Sequence, residues 1–154
     1  MTEFAARSFV LLARVGSRLY ALPLAGVIEC FRPLPVEAVA GGPPFLLGLS
    51  IVRGEPVPVV DLGALLGDGS IPPGRYVLLR LGERRVALSV EGVVGVRELG
   101  ADVLRDLPPL LQGAGAEAVA AVGVRDDKLL LLLQPARVVP DEVWRALAPS
   151  GGGA

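Results

Sequence analysis

Residues 45–62 read FLLGLSIVRGEPVPVVDL: an apolar run, a tight Arg53-Gly54-Glu55 reversal, a second apolar run, and an acid where that run ends. Short apolar runs bounded by turn residues predict two strands, Ile51-Val52 leading into the turn and Val57–Leu62 leading out of it. Pro56 and Pro58 have no N–H to give to a ladder, so the second strand has a free edge or bends on that side. Asp61 precedes Leu62–Leu66 as a helix N-cap would, and Gly67 is placed to end that single turn. A catalytic role for Asp61 is rejected, since no second carboxylate, metal ligand or base stands at a defined spacing from it.

Working outward, the same pattern recurs downstream. An offset of 72 lays Val52-Arg53 on Val124-Arg125, and Val57, Val59 and Val60 on Leu129, Leu131 and Leu132. The flanking sequence repeats at an offset of 66, which lays Val10–Phe31 on Tyr76–Arg97 with Leu12, Arg14, Gly16, Arg18, Ala21, Leu22, Gly26 and Val27 each meeting an identical residue. Each half therefore reads as a copy of one unit of about 65–70 residues, a size at which a small barrel can just fold.

The unit opens with a hairpin, Val10–Val15 and Leu19–Leu24 about Gly16-Ser17, repeated as Val77–Leu81 and Val86–Val90 about Gly82-Glu83-Arg84. Val122–Val124 and Leu129–Leu133 flank Arg125-Asp126-Asp127-Lys128. Pro33–Pro44 and Glu98–Gly115 read as long loops. Asp141–Ala148, opened by Pro140-Asp141 and with Val143, Trp144 and Leu147 on one face, predicts a short C-terminal helix, and 149–154 read as a disordered tail. Many short strands and little helix argue for an all-β fold of two tandem five-stranded barrels with a groove between them, the first over about residues 8–70 and the second over about 72–140.

Composition narrows the chemistry. Of 154 residues, 52% are apolar and 20% charged, and the formal net charge of −1 provides no basic field for nucleic acid or an anionic membrane. The chain contains no histidine, which removes Ser-His-Asp, Cys-His and HExxH chemistries at once. The single cysteine, Cys30, forms no internal disulfide or thiolate cluster and reads as a small buried hydrophobe. No cofactor or metal site is expected. The mean hydropathy of +0.58 raises the question of a membrane. The longest uncharged run, Ala38–Val52, is too short to span one and is broken by Gly41-Gly42-Pro43-Pro44. With no signal-peptide pattern at the N-terminus, the expectation is a cytoplasmic protein without direct membrane insertion.

With these elements in place, residues 45–62 resemble the signature of the CheW-like domain family, roughly F-[IL]-x-G-[VL]-x-N-[LV]-R-G-x-[VI]-[VI]-P-[VI]-[VI]-D-L. Val15–Leu24 followed by Val27-Ile28-Glu29 is similar to that family's opening hairpin and V-x-E element, and Val86–Val93 to its V-x-[LI]-x-V-D-x-V strand pair. The likeness covers about residues 8–148 and makes 1–154 a single CheW-like domain. It implies two SH3-like barrels and a non-enzymatic adaptor of bacterial chemosensory arrays, a protein that links the cytoplasmic tip of a chemoreceptor to the regulatory domain of a CheA-type histidine kinase. It also implies a receptor-facing groove at Val27, Glu29, Arg53 and Gly54, and a kinase-facing surface in the Val86–Val93 region, taken as Val86, Leu88 and Val93. Three departures stand out. Ile51 replaces the usual Asn, Pro56 adds a proline, and Cys30 stands where isoleucine is common. Replacing the amide with Ile51 removes a donor and acceptor near the Arg turn.

Each site has a plainer reading beside it. Arg53 offers forked donors and a stacking face of the kind enriched at binding hot spots; the plainer reading is a solvated turn arginine paired with Glu29 or Glu55. Glu29 positions Arg53 or meets a partner, or is an ordinary strand-end carboxylate. Val27 is core as readily as contact. Arg80, Arg84 and Arg85 lie near Glu83 and Glu91 and read as a solvated barrel face. Alternatives to a receptor–kinase adaptor are a divergent paralogue that binds one partner or serves a motility or regulatory pathway, supported by Ile51, and a generic SH3-like peptide binder, for which aromatics are few.

Overall fold

A computed structural model describes residues 7–67, 69, 71–100, 104–105, 118–137, 139, 141 and 144–145. Among the described residues, eleven strands and the short helix α1 follow in chain order: β1 (Arg7–Val15), β2 (Arg18–Pro23), β3 (Val27–Phe31), β4 (Leu46–Val52), β5 (Glu55–Asp61), α1 (Leu62–Leu65), β6 (Arg75–Leu81), β7 (Arg84–Val90), β8 (Gly92–Gly100), β9 (Leu104–Arg105), β10 (Val119–Arg125) and β11 (Lys128–Leu133). They form two sheets, ordered β8-β1-β2-β11-β10-β9 and β3-β6-β7-β5-β4. The all-β expectation of two SH3-like barrels holds.

The expected boundaries do not. Strands β3–β7, residues 27–90, make one sheet without interruption, while β1 and β2 pair with β8 and β11 from the far end of the chain. One barrel is thus inserted into the other, and the division at 70–72 runs through the inserted one. The reason lies in the two parallel pairings, β5 with β7 and β11 with β2. The repeat is real, but, apart from the two-residue β9 at the edge of the first sheet, each sheet takes its first two strands from one copy and the other three from the other copy. In either sheet the order by position within the unit is third, first, second, fifth, fourth. The chain changes sheet at equivalent places, through a 3-10 turn at Leu24–Gly26 and at Glu91.

Irregularities repeat along with the strands. Ile28 and Val94, 66 apart, are each skipped in the ladder to the neighbouring strand, and so are Leu47 and Ala120. Leu47 and Ala120 differ by 73, as do the two turns and the hydrogen bonds Asp61 N to Phe45 O (2.8 Å) and Gln134 N to Ala118 O (2.7 Å). The offset of the second half is therefore 73 rather than 72, because the turn residues Arg53-Gly54 superpose on Asp126-Asp127.

Exchange of strands explains the apolar composition. Along β1, Val10 and Leu12 join a cluster drawn only from the split barrel, whereas Leu11, Ala13 and Val15 join a cluster shared by both barrels. In β6, Tyr76 and Leu78 fill the inserted barrel while Val77 and Leu79 enter the shared cluster. The first, second and fifth strands of each unit are thus buried on both faces and read as unbroken apolar runs. Full burial of each such Leu or Val contributes about 1.5–3 kcal/mol. Two equivalent arginines reach across the junction: Arg18 donates to the Leu66 carbonyl at 3.4 Å, and Arg84 lies 4.8 Å from the centroid of the Trp144 ring.

Several local expectations hold. Asp61 caps α1, accepting from the Ala64 N–H at 3.2 Å. Pro56 and Pro58 occupy the part of β5 that precedes its pairing with β7, which starts at Val59, so neither proline interrupts that ladder. Others are corrected. Glu98–Gly100 belong to β8 rather than to a loop, and Pro33–Pro44 is fastened midway by a bridge between Glu37 and Leu49. A Cβ at Gly48 would overlap the Glu37 carbonyl, so that bridge needs glycine there. Of the helix expected at 141–148, only Asp141, Trp144 and Arg145 are among the described residues, and all three are helical. The tail 149–154 lies outside them.

Candidate functional site

The β4–β5 turn is where the motif becomes geometry. Val52 and Glu55 pair across a two-residue turn whose central residues, Arg53 and Gly54, have φ of 52° and 84°. Two positive φ values in succession are what a twisted two-residue hairpin turn requires, and glycine supplies one of them without strain. Arg53 adopts the left-handed conformation at a cost of order 1 kcal/mol, and its side chain projects from the tip of the hairpin.

That side chain meets β3. Arg53 Nε donates to Glu29 Oε2 at 2.6 Å and Nη2 to Glu29 Oε1 at 2.8 Å, a bidentate fork. Side-chain exposures of 68% for Arg53 and 26% for Glu29 set the pair at the surface with the guanidinium outermost. The hydrogen bond from Arg53 holds the Glu29 carboxyl below the usual carboxylate range, and the same contact raises Arg53. Two of five guanidinium N–H donors are used, leaving the others for a second acceptor. Glu55 points elsewhere, to Arg85 at 3.4 Å.

Exposed side chains of low polarity stand on the same two elements as the pair. Ile51, in place of the family's usual Asn, is 64% exposed, and Ile28 and Cys30 are exposed on β3. Cys30 is therefore not the buried hydrophobe expected. It lies on an edge strand of its sheet, turned outward, and desolvation followed by the charge of Glu29 pushes its thiol up. Val27 is half-buried and packs on the shared core. The receptor-facing residues predicted from sequence thus assemble about one turn, with Arg53, Gly54 and Glu29 outward and Val27 mainly supporting them.

The kinase-facing set does not assemble on a surface. Val86 and Leu88 are each 0% exposed, sealed in the core between the barrels, and no partner can touch them; Val93 alone is half-buried. Their strand is the second of its unit, covered on both faces. Sequence reasoning also missed the apolar surface residues Phe9, Val94, Val96 and Val124. The signal was present in the repeat, since Ile28 and Val94 are 66 apart and Ile51 and Val124 are 73 apart. Among the described residues no cluster of acids, cysteine and histidine is arranged to hold a metal ion, and no helix is long and apolar enough to cross a membrane.

A family model described as a CheW-like domain matches residues 10–143. The chain is similar to a chemotaxis protein CheW of Klebsiella aerogenes, 24% identical over 135 residues, covering 86% of this chain and 81% of the relative. A chemotaxis protein CheW of Treponema pallidum is 21% identical over 142 residues, covering 88% and 84%. A gliding motility regulatory protein of Myxococcus xanthus is 33% identical over 155 residues, which is 91% of this chain but 18% of that protein. The crystal structure of scaffolding protein TtCheW from Thermoanaerobacter tengcongensis shares the fold, with a TM-score of 0.71 at 21% identity over 82% of this chain and 88% of that one.

Proposed function

The chain belongs to the CheW-like domain family, and from that premise we propose that it is a non-enzymatic adaptor that couples the cytoplasmic tip of a chemoreceptor to the regulatory domain of a CheA-type histidine kinase. The observation that carries the reading is the exposed Arg53–Glu29 fork at the tip of the β4–β5 hairpin, in the family's R-G and V-x-E positions. A guanidinium oriented by a carboxylate, with spare donors and aliphatic neighbours Ile28 and Ile51, suits a helical receptor tip that presents polar groups along an apolar stripe. Arg53, Gly54 and Glu29 make the contact, and Val27 supports the strand beneath it.

The kinase domain binds a different surface, on the split barrel, where Val93 is the one residue of the expected set with exposed area. Nothing in this role needs catalysis, and a chain without histidine carries no phosphohistidine of its own. Work at a receptor tip places the protein in the cytoplasm, held at the membrane through its partner alone.

Calorimetry with a receptor tip fragment and with the kinase regulatory domain tests the proposal. Arg53→Glu should weaken receptor binding about tenfold or more, about 1.4 kcal/mol, and leave kinase binding unchanged. Failure of the wild type to bind either partner sinks the adaptor reading, and unchanged receptor affinity in the variant removes Arg53 from the site. A second reading, service in a surface-motility pathway, draws on the gliding motility relative and on exposed Ile51. Binding to the kinase and receptor of such a pathway in preference to those of swimming chemotaxis would select it.

A further inference from the structure

One end of the inserted barrel gathers charge. Glu29, Arg80, Arg85 and Glu55 stand two residues from Phe31, Leu78, Ala87 and Val57 respectively, which pack together inside that barrel. Side chains two apart on a strand share a face, and the pairings of β3 with β6, β6 with β7 and β7 with β5 bring all four charges to the same end. Arg53 reaches in from the β4–β5 turn and joins them at Glu29. In the sheet order β3-β6-β7-β5-β4 the rim therefore reads Glu29, Arg80, Arg85, Glu55 and Arg53.

Three cations on this rim meet two carboxylates. Arg53 takes Glu29, and Arg85 takes Glu55 at 3.4 Å. Arg80 is exposed, pairs with no described carboxylate and lies directly opposite Arg85 in the β6–β7 ladder. Like charges that face each other across a ladder are destabilising, and the fold does not require them. At the positions 66 residues earlier the split barrel has Arg14 and Leu19, and there Arg14 is answered by Glu91 at 3.0 Å, whose carboxylate also accepts from the Gly16 N–H. The position of Glu91 corresponds in the inserted barrel to Ala25, an exposed methyl on the 3-10 turn, followed by Gly26 against the Arg80 carbonyl. One barrel thus provides its arginine with a carboxylate and the other does not.

We propose that Arg80, backed by Arg85, is a second anchor of the receptor-binding surface and takes a carboxylate from an acidic side chain of the receptor tip. This inference rests on the adaptor reading and names the chemistry of the partner beside the Arg53–Glu29 fork. Glu29 faces Leu78 across β3 and β6, and Arg80 is the next residue on that face of β6. It lies about 7 Å further along the strand, close to the spacing of about 5–6 Å between residues three or four apart on a helix. One helix of a receptor hairpin seated at the fork therefore carries an acid to Arg80. That carboxylate takes the place Glu91 has beside Arg14, relieves the opposition of Arg80 to Arg85, and excludes partners that present a basic group there.

Calorimetric titration of the full chain with a receptor tip fragment tests this. Arg80→Gln should weaken binding about tenfold, as loss of a charge-assisted hydrogen bond does, and Arg80→Glu should weaken it further, both losses shrinking with added salt. The melting temperature of Arg80→Gln should stay at or above that of wild type, because the opposition to Arg85 is removed. Arg75→Gln makes the same change of charge at the other end of β6 and should leave affinity unchanged. Replacing the acids of the fragment by Gln one at a time should find one whose loss weakens wild type as much as Arg80→Gln does and weakens Arg80→Gln no further. Full affinity in Arg80→Gln beside a loss in Arg53→Glu overturns the Arg80 anchor and leaves the adaptor reading standing. Equal losses in Arg80→Gln and Arg75→Gln, or a melting temperature that falls together with affinity, also overturn the anchor. A wild type that binds no fragment overturns both.

Discussion

The Arg53-Gly54 and Asp126-Asp127 turns occupy one position in two copies of the same unit, and they carry different side chains. Around both, the strands, the skipped residues Leu47 and Ala120, and the closing hydrogen bonds from Asp61 and Gln134 correspond one to one. The turns themselves differ in their exposed side chains: a cation braced by Glu29 in one barrel, two acids in the other. The interior is under symmetric constraint because each barrel is completed by strands of the other unit, so core changes in one copy are felt in both. The turns are free of that constraint, and this is where the copies diverge.

The largest effect should come from the shared interior. Leu22 and Leu88 are equivalent and fully buried in the cluster between the barrels. Leu22→Ala and Leu88→Ala should each cost about 2–5 kcal/mol. Because both lie in one core, denaturant unfolding should remain a single transition that is the same by circular dichroism and by fluorescence of Trp144. Two separated transitions would show that the barrels fold independently. Next in size is the cap of α1: Asp61→Ala should lose about 1 kcal/mol or somewhat more, whereas Gln134→Ala at the equivalent position, where no α-helix follows directly, should lose less.

How much of this was legible in the sequence depends on whether it is local. The hairpins about Gly16-Ser17 and Arg53-Gly54, the Asp61 cap and the Arg53–Glu29 pair follow from neighbouring residues or from the family motif. The repeat was legible too, although the turn sets its second offset one residue further on. Which sheet each strand joins was not. Parallel pairings such as β2 with β11 join residues more than a hundred positions apart, and no turn or period encodes them. The placing of Val86 and Leu88 on a partner surface failed for the same reason, because two-sided burial of β7 exists only once the units have exchanged strands. Outward-facing Cys30 and Val94 were hidden because an apolar side chain at a skipped position or on an edge strand looks like core when read in one dimension.

The turns themselves should respond in opposite senses to one glycine. Gly54→Ala places a Cβ at φ of 84° with nothing else within reach of it, so the cost is backbone strain alone, about 1 kcal/mol. Asp127→Gly relieves a side chain held at φ of 63°. It should be neutral or stabilising by a few tenths of a kcal/mol, the greater freedom of glycine in the unfolded chain offsetting part of the gain. Thermal melts of the two variants measure the contrast, and destabilisation by Asp127→Gly would mean that the Asp127 carboxylate makes a contact in solution.

Smallest in stability, and most particular to one barrel, is the pH response of the Arg53–Glu29 fork. The Glu29 carboxyl is lowered in the folded protein, first by its hydrogen bond from Arg53, so the folded state binds the proton less tightly than the unfolded chain does. Its stabilising contribution is therefore fully present above the ordinary carboxylate range and is lost as pH falls through the lowered folded value. Glu91, lowered by the Gly16 N–H and then by Arg14, contributes in the same direction. Melting temperatures of wild type and Glu29→Gln should thus differ most at neutral pH and converge as acid protonates Glu29. Both groups are partly exposed and screened, so the difference should be small and shrink further in salt. Arg53→Lys tests the fork against the charge. A lysine keeps the cation but loses the second parallel hydrogen bond, so the Glu29 shift should diminish and receptor affinity should fall while the melting temperature hardly changes. Full affinity in Arg53→Lys would assign the turn a merely electrostatic role, and the shape of the fork would then have no part in what separates the two ends of the molecule.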